Sequence, residues 1–319
     1  MLSLGIEGTA HTLGIGIVDE KGNILASKKS SFFPPLGIHP REAAEHHAEM
    51  APKLLKDALK SAKINIKDLD MISFSQGPGL PPCLRITATF ARTLSLKLKK
   101  PLVGVNHCIS HIDIAKLLTD AIDPIVLYVS GGNSQVIGFT CGKYRVFGET
   151  LDIAIGNAID KFARDCDLGF PGGPVIEKLA KDGKYIELPY TVKGMDFSYS
   201  GLVTDVVRRY KAGAKLADLC FSFQEHAFAM LIEATERALA HTEKTEVLIT
   251  GGVAANKRFN EMLSIMAKER GARYYACPME YAGDNGVMIA WSGILNHKNG
   301  KIITALKDSM ILPRWRVDD

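Results

Sequence analysis

The chain lacks several features that would settle its class at once. No apolar run among its 319 residues approaches the ~18 needed to span a bilayer. The opening MLSLGIEGTAHTLGIGIVDE has no cationic leader, and Glu7, His11 and Asp19 interrupt its apolar stretches, so it does not read as a signal peptide. The six cysteines, Cys83, Cys108, Cys141, Cys166, Cys220 and Cys277, form no C-x-x-C pair. That speaks against a zinc ribbon or dithiol motif and fits small side chains in a reducing cytosol. There is no G-x-x-x-x-G-K-[ST] loop and no H-E-x-x-H. Net charge is small: 39 basic against 35 acidic residues leave +4, which permits a polyanionic partner without arguing for one. What is present is a globular composition, 46% hydrophobic and 23% charged, which excludes disorder and disulfide scaffolds. At ~150 residues per domain, two domains are expected.

Glycine clusters where strand-like segments end. LSLGIEGTAHTLGIGIVDEKGNILASKK reads as a strand ending near Glu7, a Gly8-Thr9 turn, a strand over Leu13–Val18, a Gly22-Asn23 turn and a third strand. DPIVLYVSGGNSQVIGFTCGKYRVFGET repeats the pattern, with strands predicted over Ile125–Val129, Gln135–Phe139 and Tyr144–Gly148. Helical spacing follows each copy. It predicts helices over Pro40–Ala62, Leu84–Leu98 and Cys108–Leu118 in the first half, with strands over Met71–Gln76 and Leu102–Val105. In the second half it predicts helices over Asn157–Cys166, Pro174–Lys181, Ser200–Lys211 and Asp218–His241. Strand Glu246–Thr250, helix Asn256–Arg270, strand Arg273–Ala276 and helix Gly286–His297 complete the expectation. The fold class is α/β, with mixed sheets covered by helices and one topology used twice. The three-strand start argues against a Rossmann fold, whose parallel strands alternate with helices from the outset. The expected lobes are 1–120 and 121–319, with a helical insertion near 157–241 and a final helix able to return to the first lobe.

Two groups of residues point to chemistry. A strand running into a glycine-rich turn exposes N–H groups that can cradle phosphate oxygens. Glu7-Gly8-Thr9, Ser130-Gly131-Gly132-Asn133 and Thr250-Gly251-Gly252-Val253-Ala254-Ala255-Asn256 are three such turns. The third opens a predicted helix, the favourable context for an anion, and together they suggest a nucleotide in a cleft between lobes. Asn106-His107-Cys108-Ile109-Ser110-His111 places two histidines at i and i+4, on one face of a helix and able to share a metal. Two capping or surface histidines are the alternative. The metalloprotease general base is missing, because Cys108 stands beside the first histidine. Asp284 in Ala-Gly-Asp-Asn-Gly is the best-placed distant carboxylate, and its other reading is a helix N-cap. His46-His47-Ala48-Glu49 reads as an exposed polar face of the predicted 40–62 helix. Lys97, Lys99 and Lys100, and Arg208, Arg209 and Lys211, read as solvated basic clusters.

These stretches together resemble a known family. GIEGTAHTLGIGI, HPREAAEHHAEMAP, SFSQGPGL, GVNHCISHI, LYVSGGNSQV, GETLDIAIGNAIDKFAR, PGGPVIEKLA, LPYTVKGMDFSYSGL, LITGGVAANKRF and GDNGVMIAWSG are similar, in order and nearly end to end, to the catalytic subunit of tRNA N6-threonylcarbamoyladenosine synthase. The likeness is to its archaeal and eukaryotic form, the KEOPS-complex subunit formerly described as an O-sialoglycoprotein endopeptidase. The resemblance implies an actin and sugar-kinase-like, ribonuclease H-like fold of two lobes with a nucleotide cleft. It implies a metal- and nucleotide-dependent transfer of a threonylcarbamoyl group from threonylcarbamoyl-AMP to tRNA adenosine. By it, His107, His111 and Asp284 would hold one divalent metal, iron ahead of zinc, with Tyr128 beside it as a further ligand reaching it directly or through the substrate. Tyr128, Val129, Ser130, Gly131 and Gly132 would contact ATP or the adenylate. Asp160, Gly173 and Glu177 would lie at the ribose and Asn256 at the adenosine. Glu7 and Thr9 stand in the first phosphate turn, where Thr9 would contact the nucleotide, and His47 and Glu49 match the family's H-x-E-x-x-P motif, which makes Glu7, His47 and Glu49 the catalytic candidates. Pro81-Pro82-Cys83 and Ser134 depart from the family's usual residues without touching a proposed ligand. The implied partners are tRNA, a separate small atypical kinase or ATPase subunit and other KEOPS subunits, in the cytoplasm and away from membranes. A small-molecule kinase of the same superfamily and a non-catalytic ATP-binding scaffold are the alternatives, with a metalloprotease behind them.

Overall fold

Alternating side chains open the chain as a meander of β1 (Leu2–Glu7), β2 (Thr12–Asp19) and β3 (Ile24–Ser31). The structure, a computed structural model, describes residues 1–34 and 39–319. After the meander come α1 (Pro40–Ala62), β4 (Met71–Gly77), α2 (Pro81–Leu98), β5 (Leu102–Asn106) and α3 (His107–Leu117). The sheet has the order β3-β2-β1-β4-β5. β1 is antiparallel to β2 but parallel to β4, and β4 is parallel to β5. The ends of β1, β4 and β5 therefore share one edge, which brings Glu7 near His107 although 100 residues separate them.

The second unit repeats this plan. β6 (Ile125–Val129), β7 (Ser134–Thr140) and β8 (Lys143–Glu149) form its meander. Helices α4 (Ile155–Asp165) and α5 (Gly172–Ala180) follow. Next come a small hairpin, β9 (Val192–Lys193) and β10 (Asp196–Phe197), and helices α6 (Ser200–Lys211) and α7 (Leu216–Thr242). The unit closes with β11 (Glu246–Thr250), α8 (Lys257–Glu269), β12 (Arg273–Ala276) and the one-turn α9 (Met279–Ala282). Its sheet order is β12-β11-β6-β7-β8, with β6 antiparallel to β7 and parallel to β11. Read from the meander inward, both sheets have the same order and the same pairing sense. Val129, Val136, Ile249, Phe162, Phe223 and Phe228 are among the buried side chains of this unit's core.

The last helix, α10 (Gly286–Lys298), packs on the first sheet. The first unit thus comprises Met1–Leu117, Asp284–Val317 and Asp319, and the second Leu118–Gly283 and Asp318. Side chains alternate along a strand. Leu4, Ile6, Leu13, Ile15 and Ile17 join the core with Ala51, Leu54 and Ala88 of α1 and α2. Gly5 and Gly16 point the other way, where α10 lies against bare backbone. A Cβ on Gly16 would stand 2.3 Å from Val287 N, and one on Gly5 2.1 Å from Gly286 O. That contact sets where Asp284, just ahead of the helix, enters the unit.

Three local differences from expectation have simple causes. α2 begins at Pro81 rather than Leu84, because proline suits the first turn, where its missing N–H is not needed. A 3-10 turn over Gly252–Ala255 separates the third glycine turn from α8. The β9–β10 hairpin has two residues per strand, too few to show a period in the sequence.

Candidate functional site

β5 runs into α3 without a loop. Asn106 ends the strand and caps the helix, its Oδ1 accepting from Cys108 N at 2.9 Å and Ile109 N at 3.2 Å. His107 is therefore the first helical residue and His111 follows one turn later. Both are buried, and their rings meet edge to face with centroids 4.8 Å apart.

Asp284 completes the group. Its Oδ1 lies 3.3 Å from His111 Nε2 and 3.7 Å from His107 Nε2, and one donor atom from each residue falls within 4.8 Å of the others. The alternative reading of Asp284 as a helix cap is corrected: Asn285 caps α10, its Oδ1 accepting from Met288 N at 2.9 Å. Asp284 is thereby turned toward the histidines.

The electrostatics favour a cation. Burial disfavours a charged His107, but the Glu7 carboxylate and then Asp284 outweigh it and raise the ring to about 9. Burial holds His111 below its ordinary value, against a hydrogen bond with Asp284. Burial alone would raise Asp284, yet the bond with His111 and the charge of His107 hold it well below the usual carboxylate range. Two imidazoles and a carboxylate, with a second carboxylate behind them, suit a divalent ion and leave coordination positions open.

Of the three catalytic candidates, the structure brings Glu7 to this group but not Glu49, which lies on the exposed side of α1. The expectation of an exposed 46–49 face fails at His47, which is fully buried. The cause is helical spacing: His47 shares a face with Ala43, Ala51, Leu54 and Ala58. Burial, aided by His46, pushes His47 down to about 4. The native state thus binds this proton less readily than the unfolded chain, so His47 opposes folding increasingly as pH falls from about 6.5 toward 4. The span is worth on the order of 3 kcal/mol. Denaturant unfolding at pH 7 and 4.5 should show a smaller acid loss in His47→Phe than in the parent protein, and equal losses would refute the assignment.

In the second unit the β6–β11 pairing sets two glycine turns side by side, with Thr250 in register with Tyr128. Tyr128 and Val129 are buried, while Gly131 and Gly132 are exposed. A Cβ on Gly132 or Gly252 would meet nothing within 4 Å, so packing does not require glycine there. Ser130 closes the first turn, its Oγ accepting from Asn133 N at 3.0 Å.

At the start of α8, Lys257 N donates to Glu177 Oε1 at 2.8 Å and Phe259 N to Asn256 Oδ1 at 3.0 Å. Asn256 also donates to Gln224 Oε1 at 2.8 Å, and Asp160 accepts from Gly172 N, next to Gly173, at 2.8 Å. Sequence reasoning missed Asn106, Asn285, Gln224 and the bond from His107 to Glu7. Only the alternating glycines of LSLGIEGTAHTLGIGI carried a signal, the mark of a strand face closely approached by backbone.

The family model for TsaD, tRNA N6-adenosine threonylcarbamoyltransferase, matches residues 21–291. The chain belongs to this family. A probable bifunctional tRNA threonylcarbamoyladenosine biosynthesis protein of Methanobrevibacter smithii is 58% identical over 320 residues, covering all of this chain and 59% of that one. This threonylcarbamoyltransferase-family chain thus spans about 59% of that relative's length. A tRNA N6-adenosine threonylcarbamoyltransferase of Thermococcus sibiricus is 57% identical over 327 residues, covering all of this chain and 98% of that one. Among solved structures, T. kodakarensis HypF aligns with 98% of this chain and 49% of its own at a TM-score of 0.65 and 16% identity, a likeness of fold alone. With the repeated sheet order, it agrees with the actin and sugar-kinase-like class.

Proposed function

We propose that the chain transfers the threonylcarbamoyl group from threonylcarbamoyl-AMP to N6 of the adenosine immediately 3′ of the anticodon, in tRNAs that read codons beginning with A. The observation that carries this reading is the 57% identity to a relative named tRNA N6-adenosine threonylcarbamoyltransferase, nearly all of whose length the chain covers. It favours a transferase over the kinase, scaffold and protease readings.

In this reading His107, His111 and Asp284 hold one divalent metal, iron ahead of zinc. When bound, it would supply positive charge for oxygens that become negative during transfer. The clustering of these donors within 4.8 Å supports that role. The N6 amine is a weak nucleophile, because its lone pair is delocalised into the ring, so holding the reactants in place is much of the catalytic task. Ser130, Gly131, Gly132 and Gly252 expose backbone where an adenylate phosphate can come close. Asp160, Gly173, Glu177 and Asn256 are the sugar and base side of that reading. Tyr128 and Val129 form the buried strand end behind the turn.

Among the described residues no helix is long and apolar enough to cross a membrane, and a cytoplasmic setting with a small atypical kinase or ATPase subunit and other KEOPS subunits fits the family. A net charge of +4 is a thin footprint for a folded tRNA. Electrostatic affinity falls with salt with a slope of about 0.9 per phosphate neutralised on duplex nucleic acid. The chain alone should bind tRNA weakly, with a shallow slope, and modify it slowly until partners are added. Single-turnover reaction with threonylcarbamoyl-AMP and unmodified tRNA, followed by nucleoside mass spectrometry, tests the activity. No modified adenosine even with partners present would overturn it.

A further inference from the structure

Glu7 is not one of the three clustered donors, yet it holds one of them. It ends β1 fully buried, with both carboxylate oxygens engaged. Oε1 accepts from Thr9 N at 2.8 Å and from Thr9 Oγ1 at 2.6 Å. Oε2 lies 3.0 Å from His107 Nδ1, closer than the 3.4 Å between that nitrogen and Thr9 Oγ1. The turn behind it is fixed from two elements. Gly8 N donates to Ser75 Oγ at 3.1 Å, and Thr87 Oγ1 donates to Gly8 O at 3.1 Å. A Cβ on Gly8 would stand 2.2 Å from Thr87 Oγ1, so the turn has no room to shift toward α2. A carboxylate held in this way is poorly placed to reach a substrate.

We propose that Glu7 is a positioning residue for the metal ligand His107. It takes the hydrogen bond of Nδ1–H, so that the ring's lone pair sits on Nε2, the nitrogen that faces Asp284. A carboxylate behind a ligating imidazole fixes its tautomer and orientation and strengthens it as a donor. Thr9 serves the arrangement by occupying Oε1 and leaving Oε2 for the ring. The inference rests on the proposal that His107, His111 and Asp284 bind a metal, and its test separates the two.

Glu7→Gln keeps the shape but has one accepting oxygen and one donating amide. Thr9 offers donors on one side and His107 a donor on the other, so one side must lose its acceptor. If the amide faces His107, the ring proton moves to Nε2 and closes the ligand position. Co(II) titrated into the full chain against a competing chelator should bind 10–100-fold more weakly to Glu7→Gln than to the parent, in the range of such changes elsewhere. The visible Co(II) spectrum should shift. Thr9→Val, which removes only one of the two Thr9 donors, should lose a few-fold. Equal Co(II) affinity in folded Glu7→Gln and the parent would overturn the proposal. Long-range 1H–15N NMR of the parent supplies a readout independent of any variant's folding. With Zn(II) bound, His107 should carry its proton on Nδ1, and a proton on Nε2 would overturn the assignment. A parent protein that takes up neither ion would defeat the metal reading instead. The same NMR measurement on the metal-free chain, at a pH where the ring is neutral, would then decide the role of Glu7 by the same criterion.

Discussion

Replacing Asp284 with alanine is expected to abolish stoichiometric metal binding and tRNA modification while leaving the chain folded. Two imidazoles would remain, without the carboxylate whose Oδ1 lies 3.3 Å from one Nε2 and 3.7 Å from the other. The affinity loss should exceed the 10–100-fold typical of a residue that only supports a ligand. His107→Ala should behave alike. The neighbouring Asn285→Ala provides the contrast. It removes the cap of α10 and should cost about 1 kcal/mol of stability, with metal affinity changed at most a few-fold. Metal content after chelator competition and denaturant unfolding separate the outcomes. Wild-type metal affinity in both Asp284→Ala and His107→Ala would refute the site.

The repeated meander was legible because strand alternation and turn glycines recur at both starts, and α1 because its helical spacing runs from Pro40 to Ala62. The spacing of His107 and His111 was legible as a shared helix face. Their surroundings were not, because contacts between distant segments depend on strand order. Glu7 meets His107 only because β1, β4 and β5 run parallel and end on one edge. Asp284 and Asn285 are equally good caps by composition, and the docking of α10 on Gly5 and Gly16 decides between them. His47 was misplaced for a different reason. Its small apolar neighbours at spacings of three and four were in view, but a pair of histidines beside Glu49 reads as polar. The core accommodates one neutral imidazole on that face.

Consecutive glycines of the third turn should respond in opposite ways to valine. Gly251 has φ +98, a conformation that side chains with a Cβ rarely adopt, and a Cβ there would stand 2.1 Å from Val129 O. Gly251→Val should therefore destabilise the second unit severely, since the strained backbone alone costs about 1–3 kcal/mol before the clash with β6 is added. At Gly252 a Cβ meets nothing within 4 Å, and at Gly131 only Asn157 Oδ1 at 3.9 Å. Neither has a positive φ. Gly252→Val and Gly131→Val should leave stability within about 0.5 kcal/mol of the parent, as at other open surface positions. On the proposed reading both should nonetheless weaken ATP or adenylate binding by at least about tenfold, because branched methyls would occupy the space into which the proposed phosphate would come, against bare backbone. Unfolding curves and calorimetric titration with ATP give the two readouts. Unchanged affinity in both folded variants would show that these turns serve the fold and not a nucleotide. A loss confined to Gly251→Val would show the same.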